Sequence, residues 1–418
     1  MKLLLLCPHF EPDLHAATGE VMTKLVNGLA ERGHRITVVT SLPWYHGHEV
    51  ADEWRGRPWR SETKDWGRII RCWPFPTAKN NIPARALGFL GQTTLATALA
   101  SMTGTHDVVM GMSPPIFMGD AAWMMAKRSR APFVFNTQDI FPDIAVSLGA
   151  LTNKRVIDMA RRYEKAIYRR ADAITVLSSD QAANVSAKIG RHGMDGTYHR
   201  KVHIIHNFVD LDRIRPVDRE NTYRERYGLA GKTVVMYSGN VGLSQSFELV
   251  RQAALHWADE PSVQFVINGE GAAHSDVAQW ADPLPNVTMI PFGPRSDVPE
   301  ILGAADIHLV LLRTGLAASS TPSKLYGILA AGRPVLASID EGSEVCNAVR
   351  DAGCGLSVGP DDQWAFNQGL EKLLSDRDEL NEMGRRGRAY AESCLSPAAQ
   401  AEAYETLFLG LLADRGSI

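Results

Sequence analysis

The stretch "TVVMYSGNVGLSQS" (residues 233–246) decides the fold, because it starts a new series of strands and helices in the middle of the chain. A short apolar run leads into a turn with two glycines and then into a helical pattern. The same order of strand, turn and helix opens the chain at "KLLLLCPHFEPDLHAATGE" (residues 2–20). Two such first strands predict two separate domains of mixed helices and strands.

Both starts lead into short apolar runs that alternate with helical segments. The first half continues with "RITVVT", "DVVMGM", "FVFNTQ", "AITVLS" and "VHIIHN", and the second with "VQFVINGEG", "VTMIPFG", "IHLVLL", "PVLAS" and "GLSVG". This alternation is typical of parallel sheets that are covered by helices on both faces. The predicted fold class is therefore α/β, with two doubly wound, Rossmann-like domains.

Length, composition and cysteine usage limit the class of protein. A chain of 418 residues is too long for one core, and 45% hydrophobic with 22% charged residues fits a globular protein. The five cysteines form no CxxC pair, which argues against a disulfide framework or a zinc site and for a reducing compartment. The initial run of four leucines is shorter than a signal-peptide core, and no stretch reaches the ~18 apolar residues of a membrane span.

Charge divides the chain more sharply than its net value of -3 suggests. Residues 1–205 carry 26 Lys and Arg against 18 Asp and Glu (+8), and residues 206–418 carry 18 against 29 (-11). A basic first half favours an anionic membrane surface or a phosphorylated acceptor, although uneven solvated charge is the plain alternative. The segment "WRGRPWR" (Trp54–Arg60) and the apolar stretch at residues 82–100 fit a lipid surface, and no nucleic-acid-binding motif accompanies them.

Several glycine-containing loops follow predicted strands, where doubly wound domains bind their ligands. Gly19 lies near a helix start, and Gly239 and Gly242 precede another with Ser244 and Gln245 as hydrogen-bond donors. Glycine lets backbone N–H groups approach a phosphate, but ordinary turn chemistry explains such residues as well.

The segment "SSTPSKLYGILAAGRPV" (residues 319–335) is a stronger candidate for an anion site. It places Thr321, Ser323 and Lys324 at a predicted helix start. Hydroxyls, free N–H groups and an ammonium together favour a pyrophosphate. The alternative is a capped helix with a solvated lysine.

Three aspartates are candidates for other chemistry. Asp139 in "NTQDIFPD" ends a predicted strand, where a carboxylate can orient or deprotonate a hydroxyl or simply cap a turn. Asp210 and Asp212 form a D-x-D pair of the kind that holds a divalent metal, but their position in a linker favours a turn. The 13 histidines show no metal-ligand spacing, so we predict no metal site.

Taken in order, the motifs resemble one family: the GT-B fold glycosyltransferases of family 4, retaining enzymes that use nucleotide sugars. The resemblance rests on segments spread over nearly the whole chain: "TGEVMTKLVNGLAERGHRITVVTSLPWY", "ADAITVLSS", "VHIIHNFVDLDRIRP", "VVMYSGNVG", "INGEG", "NVTMIPFGPRSDVPEILGAADIHLVLL", "SKLYGILAAGRPVLAS" and "GCGLSV". It is most similar to the branch that builds capsules, lipopolysaccharide and other cell-envelope polysaccharides.

The resemblance implies two domains that face each other across a cleft. The expected boundaries are an acceptor-binding domain at 1–205, a linker at 206–220, a donor-binding domain at 221–395 and a C-terminal helix at 396–418 that crosses back to the first domain. It further implies transfer from a nucleotide-diphosphate sugar to a lipid-linked or saccharide acceptor, with retention and without a metal or other cofactor. The expected location is the cytoplasm, with peripheral association at the inner face of the membrane.

The resemblance also assigns roles to residues. Asp139 and Lys324 are the expected catalytic residues. The expected donor-binding residues are Gly19, Gly239, Asn240, Gly242, Gln245, Gly269, Glu270, Gly271, Pro291, Phe292, Thr321, Ser323 and Lys324.

This chain departs from the family at the donor site. Ser319 and Gly327 stand where two glutamates are usual, and Ser244, Gln245 and Ser246 stand where a basic pair is usual. Two alternatives therefore remain open. One is a sugar-nucleotide epimerase on the same fold, for which no set of acid and base groups is apparent, and the other is a non-catalytic partner in a polysaccharide assembly complex.

Overall fold

A computed structural model describes residues 1–13, 17–44, 49–50, 52–76, 82–147, 149, 151–190, 199–316 and 324–416. It divides into two compact units. Unit 1 contains Met1–Asn207 and Pro397–Ile418, and unit 2 contains Phe208–Ser396.

Unit 1 is built on one sheet in the order β3-β4-β2-β1-β5-β6-β7-β8. Its inner strands are parallel and mostly buried, because apolar runs such as Leu3–Leu6 have no solvent-facing side. The strands are β1 (Lys2–Leu6), β2 (Arg35–Ser41), β3 (Trp59–Lys64), β4 (Gly67–Cys72), β5 (Val108–Ser113), β6 (Phe133–Thr137), β7 (Ala173–Val176) and β8 (Val202–Ile204).

The edge strand β3 differs from the prediction of wholly parallel sheets, because it pairs with β4 in antiparallel fashion. Its residues alternate between exposed and half-buried, and they include no apolar run that would mark a strand. Arg71 of β4 is buried and pairs with Glu62 of β3 at 2.5 Å. The segment Trp54–Arg60 is therefore tied to this edge, with the guanidinium groups of Arg60 and Arg71 lying 5.1 and 5.2 Å from the Trp54 ring centroid.

Helices cover both faces of the unit 1 sheet. They are α1 (Ala17–Glu31), α2 (Ile82–Ser101), α3 (Met118–Ser129), α4 (Asp143–Ser147), α5 (Lys154–Arg170), α6 (Ser179–Ile189) and, after the chain has passed through unit 2, α15 (Pro397–Gly416). Tyr404 of α15 is buried, and its hydroxyl accepts a hydrogen bond from Asn136 Nδ2 at 2.7 Å. Glu405 pairs with His34 at 2.9 Å, which fixes α15 beside the end of α1.

Unit 2 has a six-stranded parallel sheet in the order β11-β10-β9-β12-β13-β14. Its strands are β9 (Thr233–Ser238), β10 (Val263–Asn268), β11 (Val287–Ile290), β12 (Ile307–Leu311), β13 (Val335–Ser338) and β14 (Gly355–Val358). Its helices are α7 (Thr222–Arg226), α8 (Phe247–His256), α9 (His274–Ala281), α10 (Val298–Gly303), α11 (Lys324–Ala330), α12 (Glu344–Ala352), α13 (Gln363–Leu374) and α14 (Arg377–Cys394).

The segment that begins unit 2 packs into that unit. Val209 and Ile214 are buried in its apolar core, and Asp210 Oδ1 accepts a hydrogen bond from the Arg213 N–H at 3.1 Å. Asp210 therefore caps a turn, as its position in the chain suggested. Among the described residues, no helix combines the length and apolar character that crossing a membrane would require.

Candidate functional site

The first part of the site lies in unit 2, where β9 and β10 end side by side. The backbones after both strands come so close that a Cβ atom on Gly269 would lie 1.9 Å from the Gly239 carbonyl oxygen. Gly269 also has a φ of +155°, and Gly239 has a φ of +142°. Only glycine satisfies both demands, so the two loops present backbone at the carboxyl end of the sheet.

Backbone hydrogen bonds hold these two loops together. Val241 N donates to the Glu270 carbonyl at 2.8 Å, and Ala273 N donates to the Val241 carbonyl at 2.9 Å. A Cβ on Gly271 would lie 2.4 Å from the same Val241 oxygen. The Glu270 side chain is exposed, although its backbone carbonyl takes part in these bonds. The "GNVG" and "NGEG" motifs thus form one continuous backbone surface.

The polar side chains of the first loop partly satisfy one another. Gln245 Oε1 accepts a hydrogen bond from Gly242 N at 3.0 Å, and its amide donates to Ser244 Oγ at 2.9 Å. Asn240 is exposed, and its carbonyl accepts a hydrogen bond from the Tyr237 hydroxyl at 2.6 Å. Gln245 therefore serves at least to fix the turn before α8.

Lys324 is the first residue of α11, and its side chain points to the same loops. Its Nζ lies 3.6 Å from the centroid of the Tyr237 ring and 3.2 Å from the place of a Cβ on Gly239. The Nζ atom is buried and has no hydrogen-bond partner among the described residues. Burial lowers the pKa of the ammonium to about 7.

An unpaired buried ammonium is costly, and a ring face replaces only part of its lost hydration. The cost would be offset by an anion that brings a negative charge and hydrogen-bond acceptors to Nζ. The position of Lys324 beside two exposed backbone loops therefore has the chemistry of an anion site.

Two residues that the sequence did not single out complete this part of the site. Tyr237 supplies the ring beneath Lys324, and Asn268, which is fully buried, donates to the Pro291 carbonyl at 3.1 Å. That bond ties the predicted Pro291 and the exposed Phe292 to the end of β10. Tyr237 and Asn268 lie at the carboxyl ends of the apolar strands β9 and β10, and this position is the only signal in the sequence that could have identified them.

Thr321 and Ser323 lie outside the described residues. The chain that leads toward them is anchored by two aspartates that the sequence did not identify as functional. Asp361 accepts a hydrogen bond from the Thr314 N–H at 3.1 Å, and Asp340 accepts one from the Gly315 N–H at 2.9 Å. These carboxylates hold the segment after β12 beside β13 and β14.

Gly19 lies in unit 1, at the third position of α1. A Cβ there would lie 2.4 Å from the Asp13 carbonyl oxygen and 3.3 Å from the His9 Cβ. The glycine therefore lets the start of α1 pack onto the loop that follows β1, a structural reason that holds whether or not a phosphate binds there.

Asp139 lies in unit 1, two residues after the end of β6. Desolvation raises the pKa of its carboxyl group, although the residue is exposed. Its neighbour Gln138 is buried and accepts a hydrogen bond from Asn207 Nδ2 at 2.9 Å. A carboxylate with a raised pKa on a rigid strand end is suited to accept a proton.

The described residues contain no group of three or more His, Cys, Asp or Glu side chains that could hold a metal ion. In unit 2 the structure brings together ten of the predicted residues: Gly239, Asn240, Gly242, Gln245, Gly269, Glu270, Gly271, Pro291, Phe292 and Lys324. Gly19 and Asp139 belong to unit 1, where Gly19 lies in the first turn of α1 and Asp139 lies two residues after β6.

Comparison with protein families gives two consecutive matches. Residues 17–206 match the family described as "Glycosyl transferase 4-like domain". Residues 219–390 match the family described as "Glycosyl transferases group 1". The order of the two matches follows the order of the two units.

Individual proteins agree with the family matches. The chain is 26% identical over 410 residues to WcaI of Escherichia coli K12, a glycosyl transferase assigned to colanic acid biosynthesis, with 94% of this chain and 96% of WcaI covered. Among solved structures, sucrose-phosphate synthase of Thermosynechococcus elongatus gives a TM-score of 0.73 at 17% identity, covering 99% of this chain and 100% of its own. HepE of Anabaena in complex with UDP gives 0.68 at 14% identity, covering 97% and 99%.

Proposed function

The chain belongs to the glycosyltransferases of the GT-B fold, and on this premise we propose that it moves a sugar from a nucleotide-diphosphate donor to a hydroxyl of a lipid-linked or polysaccharide-precursor acceptor. The observation that carries the proposal is the buried Lys324 ammonium, unpartnered among the described residues, beside the backbone loops at Gly239 and Gly269. The UDP complex of HepE supports the choice of a nucleotide donor. The assignment of WcaI to colanic acid biosynthesis supports an envelope polysaccharide acceptor.

In this proposal unit 2 binds the donor. The loops at Gly239–Gly242 and Gly269–Gly271 allow close approach of the nucleotide, and Lys324 contacts the diphosphate. As the bond between the sugar C1 and the phosphate oxygen breaks, the leaving diphosphate gains negative charge. A fixed cation at that oxygen stabilises the transition state more than the bound donor, which is the requirement for catalysis.

Unit 1 provides the acceptor side of the reaction. Asp139 orients the acceptor hydroxyl or takes its proton while the hydroxyl oxygen forms the new bond to C1. We propose retention of the anomeric configuration, in keeping with the family 4 resemblance. Nuclear magnetic resonance would decide this point by comparing the anomeric proton of the product with that of the donor. A product with the opposite anomeric configuration would contradict the proposal.

The test of the proposed function is a turnover assay. The purified chain would be incubated with a panel of radiolabelled nucleotide sugars and a lipid extract of bacterial membranes, with and without EDTA. We expect one donor to label the lipid fraction equally in both conditions. Label that appears only with added metal would contradict the metal-independent mechanism, and a chain that binds no nucleotide would contradict the donor site.

Binding can be measured separately from turnover. A donor at 100 times its dissociation constant stabilises the folded state by about 2.7 kcal/mol, which a thermal melt detects. Stabilisation without transfer to any acceptor would favour the non-catalytic alternative.

We further propose that unit 1 meets the membrane reversibly. Leu87 and Leu90 of α2 and Trp59 of β3 are exposed apolar side chains in the half of the chain with a charge balance of +8. Each basic residue near an anionic surface contributes about 1 kcal/mol. Flotation with anionic vesicles at low salt should recover the protein, and exchange of Leu87 and Leu90 for serine should reduce recovery; equal flotation with neutral vesicles would contradict the electrostatic part.

A further inference from the structure

A polar cavity of about 490 Å³ lies in unit 1, at the end of the sheet where the parallel strands begin. This end is opposite to the carboxyl ends of the strands, which Asp139 follows. Lys2 and Arg35 are the first residues of β1 and β2, Gly67 is the first residue of β4, and His106 lies just before β5. Gly19, in the first turn of α1, and Asp139, just after β6, both follow the carboxyl ends of strands, so they form no part of this cavity.

Strand register places the cationic side chains on one face. Lys2 is paired with Arg35, and Thr37 is paired with Arg68 in the adjacent parallel strands. Paired residues in parallel strands point to the same side, and Arg35 and Thr37 are two residues apart on one strand. The four side chains therefore share one face of the sheet.

This face is the one that α2 and α3 cover further along the strands. Leu4, Val39 and Ile70 continue the same rows and are buried in the apolar core with residues of both helices. At the beginning of the rows, the apolar side chains give way to two arginines, a lysine and a threonine. The change in chemistry on a single face leaves a polar cavity next to the core.

No carboxylate of the described residues forms an ion pair with the cations at this cavity. Within the described residues, Lys2, Arg35 and Arg68 make no ion pair, and Arg68 donates only to the Thr103 carbonyl, at 3.1 Å. Asp107, which follows His106 in the chain, accepts a hydrogen bond at its Oδ2 from the backbone N–H of Lys2 at 2.6 Å. Three like charges around one cavity repel one another unless an anion is present.

His106 gives independent evidence for a ligand. Its side chain is only 7% exposed, and its Nε2 contacts Thr37 Oγ1 at 3.4 Å. Its other nitrogen, Nδ1, is buried without a hydrogen-bond partner in the described part of the chain. Burial, with Arg68 and Lys2 adding to it against Asp107, lowers the pKa of the imidazole, so it is neutral at pH 7 and can direct an N–H toward an acceptor.

We propose that this cavity is a phosphate-binding site, separate from the donor site. Guanidinium groups, an ammonium, hydroxyls and an imidazole are the groups that hold phosphate oxygens in proteins. The volume exceeds that of a phosphate ion and suits a phosphate carried by a small molecule or a lipid headgroup. The residues that would contact the phosphate are Lys2, Arg35, Thr37, Arg68, Thr105 and His106.

The test is titration of the full chain with inorganic phosphate by isothermal calorimetry. The variants are Arg35→Gln and Arg68→Gln, and the charge-matched control is Arg162→Gln, an exposed arginine of α5 with no partner in the described residues. We expect at least fivefold weaker binding in each pocket variant and unchanged binding in the control, and the same loss when Arg35→Gln is introduced into a Lys324→Ala background. Thermal melts of all variants would show whether each is folded. The Arg35 side chain is exposed and makes no hydrogen bond within the described residues, so its exchange for glutamine should leave the fold intact.

Three results would overturn the proposal: no saturable phosphate binding, binding that the pocket variants leave unchanged, or no loss from Arg35→Gln in the Lys324→Ala background. If the proposal holds, vesicles identify the source of the phosphate. The vesicles would be phosphatidylcholine with added phosphatidic acid. Flotation of the unaltered protein that is lost in Arg35→Gln, a variant that leaves α2 unchanged, would assign a lipid headgroup. Flotation that is independent of Arg35 and Arg68 would assign a soluble phosphate compound.

Discussion

The two regions that we propose to bind anions use opposite arrangements of positive charge. At the carboxyl end of the unit 2 sheet, one ammonium, that of Lys324, is buried against the Tyr237 ring. At the amino end of the unit 1 sheet, Lys2 and Arg35 are exposed and Arg68 is half-buried around an open cavity. Burial strengthens a single electrostatic contact, because little solvent screens it, whereas an exposed cluster depends on the sum of several weak contacts.

The difference explains why only the first region is suited to catalysis. A desolvated, fixed cation responds strongly to charge that develops on a neighbouring oxygen. An exposed cluster attracts phosphate from solution but is screened by water and salt, so it is suited to binding alone.

The largest expected effect is on turnover by Lys324→Ala. The substitution removes a charge-assisted contact worth about 1.5–3 kcal/mol with the bound donor and more in the transition state. We expect a loss of about 10²–10³ in kcat by analogy with the loss of one oxyanion donor. Lys324→Arg should restore little, because a planar guanidinium does not replace a compact ammonium in a confined space.

Turnover and nucleotide affinity would be measured for both variants after melts have shown equal stability. Arg162→Gln, the exposed arginine of α5, would serve as the charge control and should keep full turnover. Retention of turnover within a factor of about two in Lys324→Ala would mean that the diphosphate binds elsewhere.

The second effect is the pH dependence of donor affinity. In the free protein the pKa of Lys324 is about 7, and a bound diphosphate raises it, so binding takes up a proton above pH 7. Affinity should therefore fall as pH rises above about 7, by up to tenfold per pH unit. Calorimetry in buffers of different ionisation enthalpy measures the proton uptake, and Lys324→Gln should abolish it; a flat profile in the unaltered protein would contradict the buried position of the charge.

The third effect concerns the stability of the loops that surround Lys324. Gly269→Ala introduces a Cβ 1.9 Å from the Gly239 oxygen at a φ of +155°. Strained conformations of this kind cost about 1–3 kcal/mol, so urea unfolding should show at least that loss. The control is Gly410→Ala in α15, where a Cβ meets nothing within 4 Å and should stabilise the helix slightly. Equal stability of the two variants would show that the loops can separate freely.

The smallest expected effect is a difference between the two regions in the salt dependence of anion affinity. The Debye length shortens from ~10 Å at 0.1 M to ~3 Å at 1 M ionic strength. Phosphate binding at the exposed unit 1 cavity should therefore weaken severalfold over this range, and nucleotide binding at the buried Lys324 should weaken less. The two titrations would be run in potassium chloride on the same preparation. Equal salt dependence would contradict the distinction between a buried and an exposed site.

The donor site was accessible to sequence reasoning because its glycines stand directly after apolar strands and Lys324 follows hydroxyl residues at a predicted helix start. Tyr237 and Asn268 were missed, since a tyrosine and an asparagine at the end of a strand carry no motif of their own. For Gly19, in contrast, the structure adds a packing role that the sequence did not indicate. Its sequence position favoured a phosphate contact, whereas the structure adds a close approach to the Asp13 carbonyl that requires glycine in any case.

The sequence by itself determined the class of the fold and the place of the donor loops. Alternating apolar runs and helical segments specify parallel sheets, and the carboxyl ends of those strands bring consecutive loops to one edge. Tertiary structure alone decided the antiparallel edge strand β3, because its polar residues pair through backbone groups that no side-chain pattern records.

Tertiary structure also decided which charges matter. Lys2, Arg35 and Arg68 are separated by more than 30 residues at each step, and only the register of three strands brings them to one face. In the sequence, the hydroxyl-rich helix start singles out Lys324 but does not decide whether its ammonium is solvated or buried. The ammonium is desolvated, and without a hydrogen-bond partner in the described part of the chain, because Tyr237 of β9 covers it. Desolvation depends on such neighbours that are distant in the chain.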